Sequence, residues 1–273
     1  MMNDMSLKAR IRNIATEKKI SAQAVLQNYL MRRFLLRLSK TDYKDKFVVK
    51  GGMLISSIVG VEHRATMDLD ATLRNLPLTE ETIRQAFETI CSIEIDDGIT
   101  FRLDSIGPIR DDDEYGGYRA GFSAIYGKIN APMSMDVSTG DIITPGAQKY
   151  SFSDMFDENT CFELWAYSLE TILAEKIETI LSRGIENTRP RDFYDVYMLS
   201  AYDYDPSVFK EAFAATAKHR GSYEKIMDYP EILHTILINP IMQNRWKAYS
   251  KQMQYAYGVS FEDTISAVVK IMN

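Results

Sequence analysis

The sequence predicts an α+β protein, a core of interleaved helices and strands followed by a region of helices alone. Three observations predict it. Apolar residues recur at helical spacing in the first forty residues and again after residue 163. Between these stretches lie short runs that read as strands: MDLDATL, ITFRLDSIG, GYRAGFSAIYG and PMSMDVST. The 273 residues are 45% hydrophobic and 26% charged, enough apolar material for a sizeable core. That composition excludes disorder, collagen-like repeats and a disulfide-stapled miniprotein.

Each element has its own signal. Leu7, Ile11, Ile14 and Ala15 recur at helical spacing, and Ser21 can cap a second helix through residue 38. FVVK leads to Gly51-Gly52 and the apolar segment MLISSIVG. Thr79 opens TEETIRQAFETI, a capped helix with acids in its first turn. DDDEYGG joins two strand-like runs as a polar hairpin connection, its acids at 111–114 a solvated loop. From residue 164 the pattern is helical, with Pro190, Pro206, Pro230 and Pro240 at helix starts. The expected division is a basic helical segment over 1–46, an α/β core over 47–163 and a helical domain over 164–273.

Net charge is −6, from 32 basic and 38 acidic residues, which taken alone argues against nucleic acid. The balance is uneven. Residues 1–50 hold 12 Lys/Arg against 4 Asp/Glu, residues 51–163 hold 8 against 20, and residues 164–273 hold 12 against 14. The basic head, with Lys18, Lys19, Arg32 and Arg33, is the expected RNA-facing surface. Cys91 and Cys161 belong to no CxxC pair, so neither a structural zinc site nor a disulfide framework is expected. No signal-peptide stretch or membrane-length apolar run is present, and the expected location is the cytoplasm.

Asp68 and Asp70 flank Leu69. On a strand, residues i and i+2 share a face, so the two carboxylates point the same way. Their repulsion is relieved by a hard divalent cation such as Mg²⁺. Asp136, in MSMDVS, could complete the set from a neighbouring strand. The plainer alternative is a solvated strand face. Lys50-Gly51-Gly52 precedes a short helix, where glycines admit a phosphate and helix-start amides attract it, or where they merely make a tight turn. Arg64 and Thr66 could add a cation and a hydroxyl for the same phosphates.

Lys176 falls within the stripe of Leu169, Ile172, Leu173, Ile177 and Ile180. A lysine there either snorkels to water or meets a buried anion. Asp192 either complements the dipole of the helix begun by Pro190 or pairs with Lys176 or a nearby arginine; Asp195 follows in the same segment. Arg183, Arg189 and Arg191 make the adjoining loop cationic, which suits phosphate. His63, His219 and His234 have no ligand spacing, and no GxSxG elbow is present.

KGGMLISS, RATMDLDATL, LETILAEKIETILSR and RPRDFYDVYML, in this order, resemble the AbiEii/AbiGii-type nucleotidyltransferase toxins of type IV toxin–antitoxin and abortive-infection systems. The resemblance implies a minimal nucleotidyltransferase core similar to DNA polymerase β, with a mixed sheet, N-terminal helices and a helical C-terminal region that completes the active-site cleft. It implies that Gly51, Gly52 and Thr66 help bind the nucleotide, that Asp68 and Asp70 hold Mg²⁺, and that Lys176 and Asp192 are needed for activity. The implied reaction moves a nucleoside monophosphate from an NTP to an RNA acceptor, the tRNA 3′ end in some members, which arrests translation. An antitoxin encoded nearby is the implied partner. Two other readings compete: transfer to a small molecule, as antibiotic-modifying enzymes do, and a non-catalytic binding protein whose acids and Lys176 form a structural ion network.

Overall fold

The structure, a computed structural model, describes residues 4–109, 116–157 and 160–273. The acidic run at 111–114 lies outside the described residues. The chain divides into two compact units: Met1–Asp141 with Gln148–Ala166, and Ile142–Ala147 with Tyr167–Asn273.

The first unit opens with α1 (Asp4–Glu17) and α2 (Ala22–Leu38). Ser21 caps α2 as its position predicts, its hydroxyl accepting from the Ala24 N–H. Then follow β1 (Phe47–Lys50), α3 (Gly51–Val59), β2 (Leu69–Leu73) and α4 (Glu80–Ser92), the last capped by Thr79. The remaining strands are β3 (Thr100–Pro108), β4 (Tyr118–Tyr126), β5 (Ile129–Ser138), β6 (Gln148–Ser153) and β7 (Cys161–Ala166). Among the described residues the strands form one sheet in the order β3-β4-β5-β2-β1-β7-β6. It is mixed, as expected: β2–β5 and β1–β7 run parallel and the other pairs antiparallel. On β5, Ala131, Met133, Met135 and Val137 are buried in alternation with more accessible neighbours, the signature of a sheet with one face in the core. Phe34 of α2 stacks on Phe122 with centroids 4.3 Å apart and meets Phe87 and Phe101, tying α2, α4, β3 and β4 into one aromatic cluster. Each such pair adds about 0.5–1.5 kcal/mol beyond the area it buries.

Two expectations need correction. Helix was expected from residue 164, but β7 runs to Ala166 and pairs with β6. Its partner on the other side, β1, lies far upstream in the sequence, so the segment's strand character is set by a non-local pairing. The basic head also fails as a continuous RNA-facing surface, because Arg32, Arg33 and Arg37 are buried. Arg37 donates to both Asp97 oxygens and to the Ile99 carbonyl; Arg33 joins Asp97 to Asp154; Arg32 donates to the Ser153 carbonyl. Three of the head's charges therefore clamp α2 to the rest of its unit.

The second unit is helical among its described residues: α5 (Leu169–Arg183), α6 (Pro190–Leu199), α7 (Pro206–His219), α8 (Tyr229–Ile238), α9 (Pro240–Gln252) and α10 (Phe261–Met272). Pro190, Pro206, Pro230 and Pro240 all fall in the first two positions of a helix, where the missing N–H costs nothing. Phe193, Tyr194, Trp246 and Phe261 fill the core, Phe261 lying between Phe193 and Trp246. No described helix is long and apolar enough to cross a membrane.

Candidate functional site

Strand register in the first unit builds a row of charge across the sheet. Antiparallel pairing of β1 with β2 sets Lys50 opposite Asp70. Parallel pairing of β2 with β5 sets Asp70 beside Asp136, and antiparallel pairing of β4 with β5 sets Arg119 opposite Asp136. Residues in register share a face, so the row reads Lys50, Asp70, Asp136, Arg119. Asp68 stands one residue before β2, two before Asp70, with Leu69 buried between them.

The double glycine is shaped around this row. Gly51 starts α3 with φ +69°, and a Cβ there would overlap the Asp70 carboxylate. A Cβ on Gly52 would press on the Thr66 hydroxyl. That hydroxyl, on a residue 6% exposed, accepts the Asp68 N–H at 3.2 Å and turns the chain toward β2. Arg64 is buried beside the same turn and donates to the Ala65 carbonyl. Gly51, Gly52, Arg64 and Thr66 thus set the approach of backbone to carboxylate.

The charges are partly committed. Lys50 donates to Ser138 at 2.8 Å and to Asp141 at 2.6 Å. Burial pushes the Asp141 carboxyl up, but Lys50, Thr72 and Ser138 outweigh that and hold it below its ordinary value. Asp136 is gripped bidentately by Arg119, at 2.7 and 2.8 Å. That contact holds the Arg119 guanidinium above its ordinary value, and the fields of Asp68 and Asp70 add to it. Among the described residues no three Asp, Glu, His or Cys side chains converge as a metal-holding group, so Asp68, Asp70 and Asp136 do not close on one point. Asp68 and Asp70, both near enough to Arg119 for their fields to act on it, are hard oxygen donors of the kind that suits Mg²⁺. Arg119 is 58% exposed, and an exposed pair of this kind is worth only about 0–1 kcal/mol, so it holds Asp136 weakly.

In the second unit Lys176 meets buried anions. Its ammonium lies 2.6 Å from Asp192 and 2.9 Å from Asp195. The two aspartates are three residues apart on α6, on one face, and both are buried. Burial alone would push the Lys176 ammonium down; Asp195 and Asp192 together outweigh it and hold the group above its ordinary value. The second Asp192 oxygen, Oδ2, is buried without a hydrogen-bond partner among the described residues. Asp195 as a direct partner of Lys176 was not among the expected site residues. Its spacing from Asp192 was the available signal. Arg119, Thr72 and Asp141 were also missed, because strand register places the first two and Asp141 reaches Lys50 from the loop after β5.

The family model for the AbiEii nucleotidyl transferase toxin of type IV toxin–antitoxin systems matches residues 33–266, and the chain belongs to that family. It is a nucleotidyltransferase. Among solved structures it is similar to JHP933 from Helicobacter pylori, at 15% identity over 92% of each chain with a TM-score of 0.50, a likeness of fold. A second H. pylori structure is 15% identical over 92% of this chain and 96% of its own, with a TM-score of 0.49. An antigenic nucleotidyltransferase-like protein from Paracoccidioides brasiliensis is 14% identical over 71% and 89%, with a TM-score of 0.41. No curated protein matches the sequence.

Proposed function

We propose that this toxin transfers a nucleoside monophosphate from an NTP to an RNA acceptor, the 3′ end of tRNA, and so arrests translation in the cytoplasm until an antitoxin encoded nearby counters it. The observation that carries this reading is the row in which Asp70 and Asp136 are register neighbours beside a double-glycine helix start, with Asp68 two residues away. Asp68 and Asp70 would hold Mg²⁺, with Asp136, now paired with Arg119, as the third carboxylate of the set. When bound, such an ion would supply Lewis-acid stabilisation of the α-phosphate and would lower the pKa of the attacking hydroxyl. The Gly51 and Gly52 backbone lets a triphosphate approach, flanked by Lys50, Arg64 and Thr66. The acceptor hydroxyl gives its proton to solvent, its oxygen bonds to the α-phosphorus, the bond from that phosphorus to the bridging oxygen breaks, and pyrophosphate leaves with that oxygen. Within the second unit, Lys176 and Asp192 are needed for activity, Asp192 holding and orienting the Lys176 ammonium.

The test is incubation of the protein with Mg²⁺, each labelled NTP and total tRNA, followed by sequencing of RNA 3′ ends. Asp68→Ala should abolish labelling and relieve growth arrest. Full toxicity in that variant would sink the mechanism. Labelling of aminoglycosides in place of RNA would move the acceptor to a small molecule.

A further inference from the structure

The second unit carries a polar hollow of about 430 Å³ whose chemistry the transfer reaction leaves unused. Four cationic side chains line it: Arg183 at the end of α5, Arg189 just before α6, Arg220 just after α7, and Lys225 in the short turn that follows. The one acid in the lining, Glu178, is 2% exposed and already satisfied. It accepts Arg220 at 2.6 Å and the Ser222 hydroxyl at 2.7 Å. Its charge is therefore spent on fixing Arg220, which also donates to the Thr179 hydroxyl and lies 3.5 Å from a second carboxylate, Glu175. Arg183 and Lys225 are exposed, and their side chains have no partner among the described residues. A cation at the end of α5 complements the helix dipole, which explains Arg183 taken singly. It does not explain why cations from three further segments gather round the same hollow. Glu178 and Glu175 offset Arg220, but no described carboxylate pairs with Arg183 or Lys225, and an anion in the hollow would relieve the repulsion among its cations.

We propose that this hollow is a phosphate-binding pocket that takes a backbone phosphate of the RNA acceptor. Guanidinium groups recognise phosphate through paired charge-assisted hydrogen bonds, and the Ser182 hydroxyl in the lining adds a neutral donor. The cations come from separate elements, and Arg183, Arg220 and Lys225 stand open to solvent, as suits a continuous polyanion. The phosphate chemistry stands on the hollow itself; the owner of the phosphate rests on the RNA-acceptor reading above. The pocket also supplies the basic docking surface that the buried arginines of α2 do not.

The test uses the full chain with Arg183→Glu and Lys225→Glu combined, beside a charge-keeping control of Arg183→Lys with Lys225→Arg. Both positions are exposed, and circular dichroism and melting check that each variant folds. Binding of fluorescent tRNA is followed by anisotropy from about 50 to 200 mM salt, without NTP or Mg²⁺. The reversed variant should lose about tenfold or more in affinity, and its slope of log affinity against log salt should shrink by about 1.5–2. The control should stay within about threefold of the parent. Unchanged tRNA affinity and slope in the folded, reversed variant would overturn the proposal. Inorganic phosphate is titrated in parallel; if reversal abolishes its binding and leaves tRNA untouched, the site serves free phosphate and its assignment to RNA is overturned. A parent protein that labels no RNA, with tRNA binding still lost on reversal, would sink the transfer reading and leave the pocket standing.

Discussion

Two clusters of buried charge, one in each unit, are built to different standards. In the first unit Asp97 receives Arg33, Arg37 and the Ile99 N–H, and Arg37 has no exposed side-chain surface. In the second, one lysine faces two buried aspartates, its side chain is 19% exposed, and one Asp192 oxygen has no hydrogen-bond partner among the described residues. A buried network whose groups are satisfied fixes a fold; a buried acceptor left open beside a cation that water can reach is poised for something else. The first cluster is fully satisfied, and the second is the one to which the proposed reaction assigns a role.

The largest effect that could break this contrast is on stability. Arg37→Met leaves Asp97 short of its main partner in the interior, and should cost about 3–5 kcal/mol in urea unfolding. A cost under about 1 kcal/mol would mean that the network does not hold α2 in place. Next is Lys176→Gln, which should reduce nucleotidyl transfer about 10²–10³-fold, measured as labelled RNA per folded protein. Retention of more than about a tenth of the activity would remove Lys176 from the reaction.

A pH experiment separates the clusters more finely. Burial pushes the Asp97 carboxyl up, but Arg37, the Ile99 N–H and Arg33 outweigh it, so the folded value lies below the ordinary 3.8. The folded state then binds fewer protons than the unfolded chain, and Asp97 contributes stability above that ordinary value and loses it as pH falls through the folded one. Asp97→Asn should therefore be less stable than the parent near neutrality, and the gap should narrow on acidification below about pH 4. A gap independent of pH would show that the carboxylate charge is not what stabilises. The smallest effect concerns Arg119. Arg119→Ala removes an exposed pair and should change stability by less than about 1 kcal/mol, while lowering the Mg²⁺ concentration needed for half-maximal transfer. An unchanged Mg²⁺ requirement would detach Arg119 from the carboxylate row.

Caps and helix-start prolines could be read directly, because Ser21, Thr79, Pro190, Pro206 and Pro240 act within one turn of themselves. Lys176 could be read as a lysine that either snorkels or meets a buried anion, and the structure sets it against two, Asp192 and Asp195. β6 and β7 could not be read, since six-residue strands take their identity from partners elsewhere in the chain. The same holds for Arg119 opposite Asp136 and for Lys50 on Asp141, where register and side-chain reach decide the contact. Charge totals misled most at Arg32, Arg33 and Arg37: counting places charge in a segment but cannot say which side of the helix carries it.

The overlap between a Cβ at position 51 and the Asp70 carboxylate has a genetic consequence. Every missense change at a glycine codon adds a side chain, so that codon offers no conservative replacement. In a population surviving forced expression of the toxin, lesions of every chemical kind should collect at codon 51. Codon 67, whose methionine is 52% exposed, should collect almost none. Counting survivors by codon would thus map the close approach of backbone to carboxylate without purifying any protein.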